Sequence, residues 1–503
     1  MPRLPTSLAP TRQSGQPTLQ HAERLVGLFV AAALAASIAL VFTGCSTPVA
    51  KPSLDVPAKF ATAAESDLEP EVAWWQSYGD PVLTDLIVRA ARENRDVKIA
   101  AERVLAARAG EVISKSRLYP SIGVGVSGSD QRTGYDSQTK RSGVADAADA
   151  KGWKGGVDVS WEVDISGRLR AGAQAAAADT LATEASARGI QLIVLTDVAT
   201  NYFTLVGALR QLDSLRAISA AYDETLRLTL ARQRVGLATP FDVERAQSDA
   251  SRARAALPPY ETLAAMSRNR IAVLIGDQAF NAASIAPGRL DPSVPAARPG
   301  QPADLLQRRP DLLAAQAELD AANARRQQAH AEWFPRLFLG ALFGGEGISV
   351  NGASLGTARY TNVAAMLAMP IFNAGRTQSI DDIAQSNQRT AVLSYEQAIA
   401  KALEEVENGL TALAQERQRT ALLQSASASA ESALGRAQSL FNRGQIDLLP
   451  LLDAQRARLT VSVSAIESNT QLLLDSVQLY KALGGGWQVF EPVAANTARS
   501  PNS

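Results

Sequence analysis

The chain has 503 residues, of which 46% are hydrophobic, 20% charged and only 5% aromatic, a composition that folds but is poor in rings. Lysine plus arginine equals aspartate plus glutamate at 50 each, so there is no general basic field for a nucleic-acid backbone, and nucleic acid drops out as a main partner. One cysteine excludes an internal disulfide framework and a CxxC zinc site, and two histidines, His21 and His330, are too few for a typical transition-metal centre.

Arg3, Arg12 and Arg24 precede an uncharged apolar run from Leu25 to Gly44, and the lone cysteine, Cys45, follows at once. This is the layout of a signal peptide. Phe42-Thr43-Gly44-Cys45 resembles a bacterial lipobox, with Phe42 in the place of the usual leucine. Such a motif implies cleavage before Cys45, a diacylglycerol on its thiol and an N-acyl chain on its amine. Ser46 stands where an aspartate would favour inner-membrane retention, which implies sorting to the outer membrane. A retained transmembrane anchor is the alternative, since 20 apolar residues span a bilayer. Cleavage removes three basic residues and Glu23, leaving 47 basic and 49 acidic groups.

The mature chain is an internal repeat. Asp96, Ala100, Val104, Ala107, Ala109 and Pro120 recur 215 positions later as Asp311, Ala315, Leu319, Ala322, Ala324 and Pro335. Gly167-Arg168, Val198, Leu205, Gly236 and Ala246-Gln247 recur 208 positions later as Gly375-Arg376, Val406, Leu413, Gly444 and Ala454-Gln455. The change of register falls in an interval that reads as a pair of strands. Ile122, Val124 and Val126 alternate with Gly123, Gly125 and Ser127, and Val157 to Ile165 alternate apolar with polar. A polar loop from Asp130 to Gly152 joins them. The second copy predicts strands over 337–343 and 363–372, with a shorter loop through Gly344-Gly345-Glu346-Gly347.

After each hairpin the period turns helical. Val392, Ile399, Val406 and Leu413 fall seven apart, with Tyr395, Leu403 and Leu410 filling the 3/4 spacing, a coiled-coil seam. Gly167 to Gly236 and Gly375 to Gly444 each span 69 positions without a proline, which predicts helices of about 100 Å. Each ends at a glycine, and a second helix returns over Asp242 to Ile275, interrupted at Pro258-Pro259, and over Asp453 to Leu483. Capping residues open the preceding helices at Asp80-Pro81 and Asp304. The expected divisions are a lipoprotein signal peptide over 1–44, a lipid-anchored segment over 45–73, repeats over 74–280 and 303–487, a proline-rich linker over 281–302, and a disordered tail over 488–503.

Two strands cannot cross a membrane with their edges open, and four are too few to close a barrel. Three chains would give twelve strands. The expected fold is therefore mainly α with a β-hairpin per repeat, assembled as a trimeric, twelve-stranded outer-membrane barrel continued by a long helical periplasmic tube. A lipid-anchored coiled-coil scaffold or adaptor without a pore is the alternative; it accounts for the helices but not for four alternating segments. Catalysis has little to stand on. Glu404-Glu405 reads as a charged helix surface, Gly484-Gly485-Gly486 as a helix stop, and no GxSxG elbow or Walker-type loop is present.

Trp74-Trp75 with Gly79-Asp80-Pro81, Arg308-Arg309-Pro310-Asp311, Trp333-Phe334-Pro335, Phe372-Asn373-Ala374-Gly375-Arg376, Val235 to Thr239, and Leu452-Asp453-Ala454-Gln455 occur in order at repeat spacing. Together they resemble the TolC-like outer-membrane efflux proteins, in the lipoprotein branch that includes OprM and NodT. The resemblance implies a homotrimeric duct without catalytic activity, docked on a periplasmic adaptor and an inner-membrane pump of the resistance-nodulation-division type. It maps adaptor docking to Val235, Gly236, Leu237, Ala238, Thr239, Arg443 and Gly444, with helix capping as the other role of the glycines. It maps a periplasmic gate to Asp453 and Asp242, for which a solvated acid at a helix start is the alternative. Phe441, Ile446 and Pro450 depart from the relatives' gate residues, so closure is expected from Phe441 packing or from Arg443 pairing with Asp242.

Overall fold

The computed structural model describes residues 49–53, 56–62, 71–132, 149–280, 294–296 and 298–490. The expectations for the signal peptide, Cys45, most of the linker and the chain beyond Phe490 lie outside the described residues. Helices α1 (Pro81–Glu93) and α2 (Arg95–Ser116) lead to strands β1 (Ser121–Gln131) and β2 (Ala150–Val163), and then to α3 (Arg168–Arg234), α4 (Pro240–Ala255) and α5 (Leu257–Leu274). The second copy has the single turn α6 (Leu305–Arg308), α7 (Pro310–His330), β3 (Arg336–Val350), β4 (Ala353–Ala368), α8 (Arg376–Asn442) and α9 (Leu448–Ala482).

One compact unit is built from residues 114–173 and 324–385. Its four strands form one antiparallel sheet in the order β1-β2-β3-β4, so the repeats meet at the β2–β3 pair. The sequence predicts the second loop at Gly344 to Gly347, but the strands run through those glycines and turn at Asn351-Gly352, both at positive φ. Two consecutive left-handed residues match the twist of a two-residue hairpin, the reason Asn-Gly signals one. The strands need the internal glycines for room. A Cβ at Gly347 would lie 2.3 Å from Trp153 Nε1, and one at Gly344 would lie 2.4 Å from Tyr360 Oη. At the helix-bearing end of the sheet, Arg168 donates to both Glu162 carboxylate oxygens at 2.7 and 2.8 Å, and Glu332 bridges Arg168 and Arg336.

The other compact unit contains α1, α4, α5, α6 and α9 and most of α2, α3, α7 and α8. Its core combines Trp74, Trp75, Leu83, Leu86 and Ile87 with Leu195, Val198, Tyr202, Phe203 and Val477. Trp74 stacks on Tyr480 at 5.3 Å and Trp75 on Phe490 at 5.6 Å. Packing thus extends to Phe490, past the expected start of the tail at 488. The predicted seam is buried at Tyr395, Ile399, Val406, Leu410 and Leu413, with Val392 and Leu403 packed at its edge. Asp80 caps α1, accepting from the Val82 and Leu83 amides with Pro81 in the first helical position. Asp304 does not cap the long helix of the second copy; it bonds back to the Gln301 amide in a separate turn, and α7 opens at Pro310.

Upstream of these helices, residues 50–53 and 56–62 form a strap along the second copy. The Ala50 amide donates to Asn323, which also takes Gln388 at 2.6 Å. The Ser53 amide donates to Glu396 at 2.8 Å, and the Ala61 and Thr62 amides to Glu407. The strap therefore follows α8 in its own N-to-C direction.

Candidate functional site

The first site is the sheet itself. Cross-strand register places Ile122, Val159, Ala341 and Val363 in one row and Val124, Val157 and Phe343 in the next, all on one face. The opposite face carries Lys154, Asp158, Ser160, Asn362 and Tyr360, together with Phe338 and Leu342. Strands β1 and β4 are edges, and their apolar residues are bare: Ile122, Val124, Val126 and Val363 are 72%, 78%, 82% and 74% exposed. Unpaired edges beside a bare apolar face describe a sheet meant to be covered and closed.

The second site is the end of the helical unit where both long helices stop. The two 67-residue helices α3 and α8 finish in the same motif. The Leu237 amide donates to Arg232 O and the Gly236 amide to Gln233 O; the Gln445 amide donates to Leu440 O and the Gly444 amide to Phe441 O. Gly236 and Gly444 take φ of 78° and 69°, the left-handed cap such paired bonds require. The return helices then differ. In the first copy Thr239 caps α4: its hydroxyl accepts from the Asp242 amide, and Asp242 accepts from the Thr239 amide at 2.9 Å. In the second copy Asp447 makes no side-chain cap bond. Pro450, three residues on, lacks the N–H a capping box needs.

These contacts place each predicted tip residue. Val235, Leu237 and Thr239 are exposed, Ala238 is half-buried, and Arg443 and Gly444 are exposed. Asp242 is held by Thr239 rather than by Arg443, and the backbone hydrogen bond from Thr239 is the main cause that keeps its carboxyl below the usual range. Asp453 is exposed and lies 3.4 Å from Arg456. Phe441 is buried, and its partner is a residue the sequence reading did not single out. The Arg232 guanidinium lies 3.9 Å from the Phe441 ring centroid and donates to Phe441 O at 3.0 Å. Arg456 was also missed; it pairs with Asp249 at 2.6 Å, a carboxylate with a side chain only 3% exposed. Burial, reinforced by Asp249, pushes the neighbouring Tyr222 up to about 12. A groove of about 550 Å3 runs beside this end, lined by Glu224, Leu228, Ala231, Arg232, Val235 and Phe441.

Known proteins share this architecture. The sequence pattern of the family described as outer membrane efflux protein matches residues 86–277 and 302–485, one stretch in each repeat. The chain is 32% identical over 418 residues to the probable efflux pump outer membrane protein SepC of Pseudomonas putida, covering 83% of this chain and 86% of that one. It is 30% identical to outer membrane protein OprJ of Pseudomonas aeruginosa, covering 90% and 93%. The solved structure of the outer-membrane channel OprN superposes with a TM-score of 0.79 at 27% identity, covering 88% of this chain and all of that one. With the pattern matched in both halves, the chain belongs to the outer membrane efflux protein family.

Proposed function

We propose that three copies of this outer-membrane efflux duct close their sheets edge to edge, β4 of one on β1 of the next, into one twelve-stranded barrel. The observation that carries this reading is the bare apolar face between two unpaired edges. In lipid, every strand edge must be paired, and four strands cannot close on themselves. Trp153 and Trp161 lie on the apolar face eight residues apart in β2, about 26 Å of strand and roughly 20 Å along the barrel axis once tilted, the scale of an apolar band between aromatic girdles. The face bearing Lys154, Asp158 and Asn362 then lines water. The scaffold alternative leaves the apolar face unexplained.

The duct is passive and needs no catalytic residue. The helices, each about 100 Å long, carry its wall through the periplasm to a periplasmic adaptor and an inner-membrane pump of the resistance-nodulation-division type. Docking falls on Val235, Gly236, Leu237, Ala238, Thr239, Arg443 and Gly444; exposed Val235, Leu237 and Phe241 beside the groove give an apolar patch suited to a helical partner. The gate comprises Asp453, Asp242, Phe441 and Arg443, with Arg232 added as the residue that holds Phe441. Cys45 carries the lipid: it stands five residues before Ala50, and the strap enters α8 from the N-terminal side, the side that follows the hairpin.

Purified protein should run as a heat-sensitive oligomer three times the chain mass in mild detergent and conduct ions in a planar bilayer. A monomer that never conducts would remove the barrel.

A further inference from the structure

Beyond the pore, the apolar face of the sheet ends in a groove at the turn end, the end opposite the helices. We propose that this groove binds the phosphorylated sugar headgroup of an outer-leaflet glycolipid. The inference rests on the barrel reading, which turns this face to lipid and this end to the cell exterior.

The groove encloses about 340 Å3 and is lined by Lys151, Trp153, Ser349, Ser354 and Thr357, with glycines 152, 347 and 356 between them. A register shift between Gly347 and Ser349 opens it, as a bulge re-aims the side chains beside it. Trp153, half exposed, lies across Gly347. A flat indole beside three hydroxyls suits a sugar ring.

Charge supplies the complement. Lys151 lies 3.5 Å from Asp130, which Arg132 shares at 3.8 Å, so one carboxylate faces two cations. Arg359 stands on the same face, opposite Gly345 and two positions from Thr357. Among the described residues no carboxylate pairs with it. Asp149, bonded through its backbone to Asn351 at the same end, adds a second carboxylate; three cations against two anions leave a rim of one net positive charge, and long basic side chains at this depth extend toward the headgroups. The groove is also continuous with the apolar rows below it: Val126 faces Gly155, and Val157 faces Phe343. A glycolipid seated by its phosphates would lay its acyl chains there. A soluble anion would gain nothing from those rows.

The experiment is native mass spectrometry of the full-length oligomer released from micelles containing a diphosphorylated glucosamine-disaccharide lipid, or the same lipid without phosphates. The wild type should retain the phosphorylated lipid. The double variant Lys151→Glu with Arg359→Glu should retain it at least about twenty-five-fold less, since each lost cation near an anionic surface contributes roughly fivefold and the new carboxylates repel the phosphates. Lys154→Glu, on the opposite face, should leave retention unchanged. Equal retention of the phosphorylated lipid by the double variant, or retention of the dephosphorylated lipid by the wild type as strong as that of the phosphorylated one, would overturn the site. Displacement by millimolar inorganic phosphate would reduce it to a phosphate site and overturn the glycolipid assignment. In wild type, brominated acyl chains should quench Trp153 more than in Lys151→Glu; equal quenching counts against the site even if the double variant does not assemble. A channel that conducts but retains no lipid defeats this inference alone, whereas failure to assemble or conduct defeats the barrel reading.

Discussion

Replacing Phe441 with alanine should loosen the periplasmic end. The ring is 1% exposed, and removing a buried phenylalanine costs about 3–5 kcal/mol, through lost burial and the cavity left behind. The Arg232 guanidinium 3.9 Å from the ring centroid adds a cation–π attraction of roughly 0.5–2 kcal/mol. Phe441→Leu isolates the smaller contribution, because it keeps most of the apolar volume and removes the ring. The two residues close the last turns of α3 and α8, so their contact ties the ends of both long helices together. Losing about 3 kcal/mol from the tied state multiplies the untied to tied ratio by roughly 150. Single-channel recording in planar bilayers measures the consequence: long-lived open events should become frequent in Phe441→Ala, and Phe441→Leu should fall between it and wild type. Limited trypsin digestion should in parallel cut faster after Arg232 and Arg234. Wild-type conductance and cleavage in Phe441→Ala would refute the role given to this contact.

Other consequences are independent of that pair. Alanine at Gly444, where φ is +69° and a Cβ would meet nothing within 4 Å, should lower thermal stability by about 1 kcal/mol through backbone strain alone. Alanine at Gly435, inside α8 and equally open, should raise stability by about 0.5–1 kcal/mol, so melting curves of the two variants should move in opposite directions. Asp242 has a folded pKa below its usual value, so its contribution is complete above the ordinary aspartate pKa and is lost as pH falls through the folded one. Asp242→Asn should therefore remove about 1 kcal/mol at pH 7 and flatten the acid limb of the melting profile. The first copy's tip has a capping box and the second has none, so amides around 445–447 should exchange with deuterium faster than those around 237–239. Asp453→Ala should raise ion conductance, and unchanged conductance would remove Asp453 from the gate.

The two-copy plan, the long helices and their glycine stops were legible because they depend on period and on single residues with one conformational meaning. The second hairpin was misread for an equally physical reason. Four residues of Gly344-Gly345-Glu346-Gly347 look like a loop when seen alone, and only the neighbouring strands reveal that Trp153 and Tyr360 need the missing side chains. The turn at Asn351-Gly352 was readable in principle, since that dipeptide is the strongest short hairpin signal. So was the start of α4: Thr239-Pro240 with Asp242 three residues after the threonine has the spacing of a capping box. Arg232, Asp249 and Arg456 carry no such signature. An arginine stacked on a ring 209 positions away, or a carboxylate buried by a helix from the other repeat, becomes visible only when the copies pack together.

The seam between copies is the claim on which the rest depends, and disulfide trapping tests it directly. With Cys45 as the only native cysteine, single cysteines placed at Val124 on β1 and at successive positions from Ala358 to Ala368 on β4 give an unambiguous readout on a non-reducing gel after heating. The barrel predicts covalent trimer at one register and its neighbours, reversed by reductant. No cross-linked product at any position, from protein that still reaches the outer membrane folded, would contradict it.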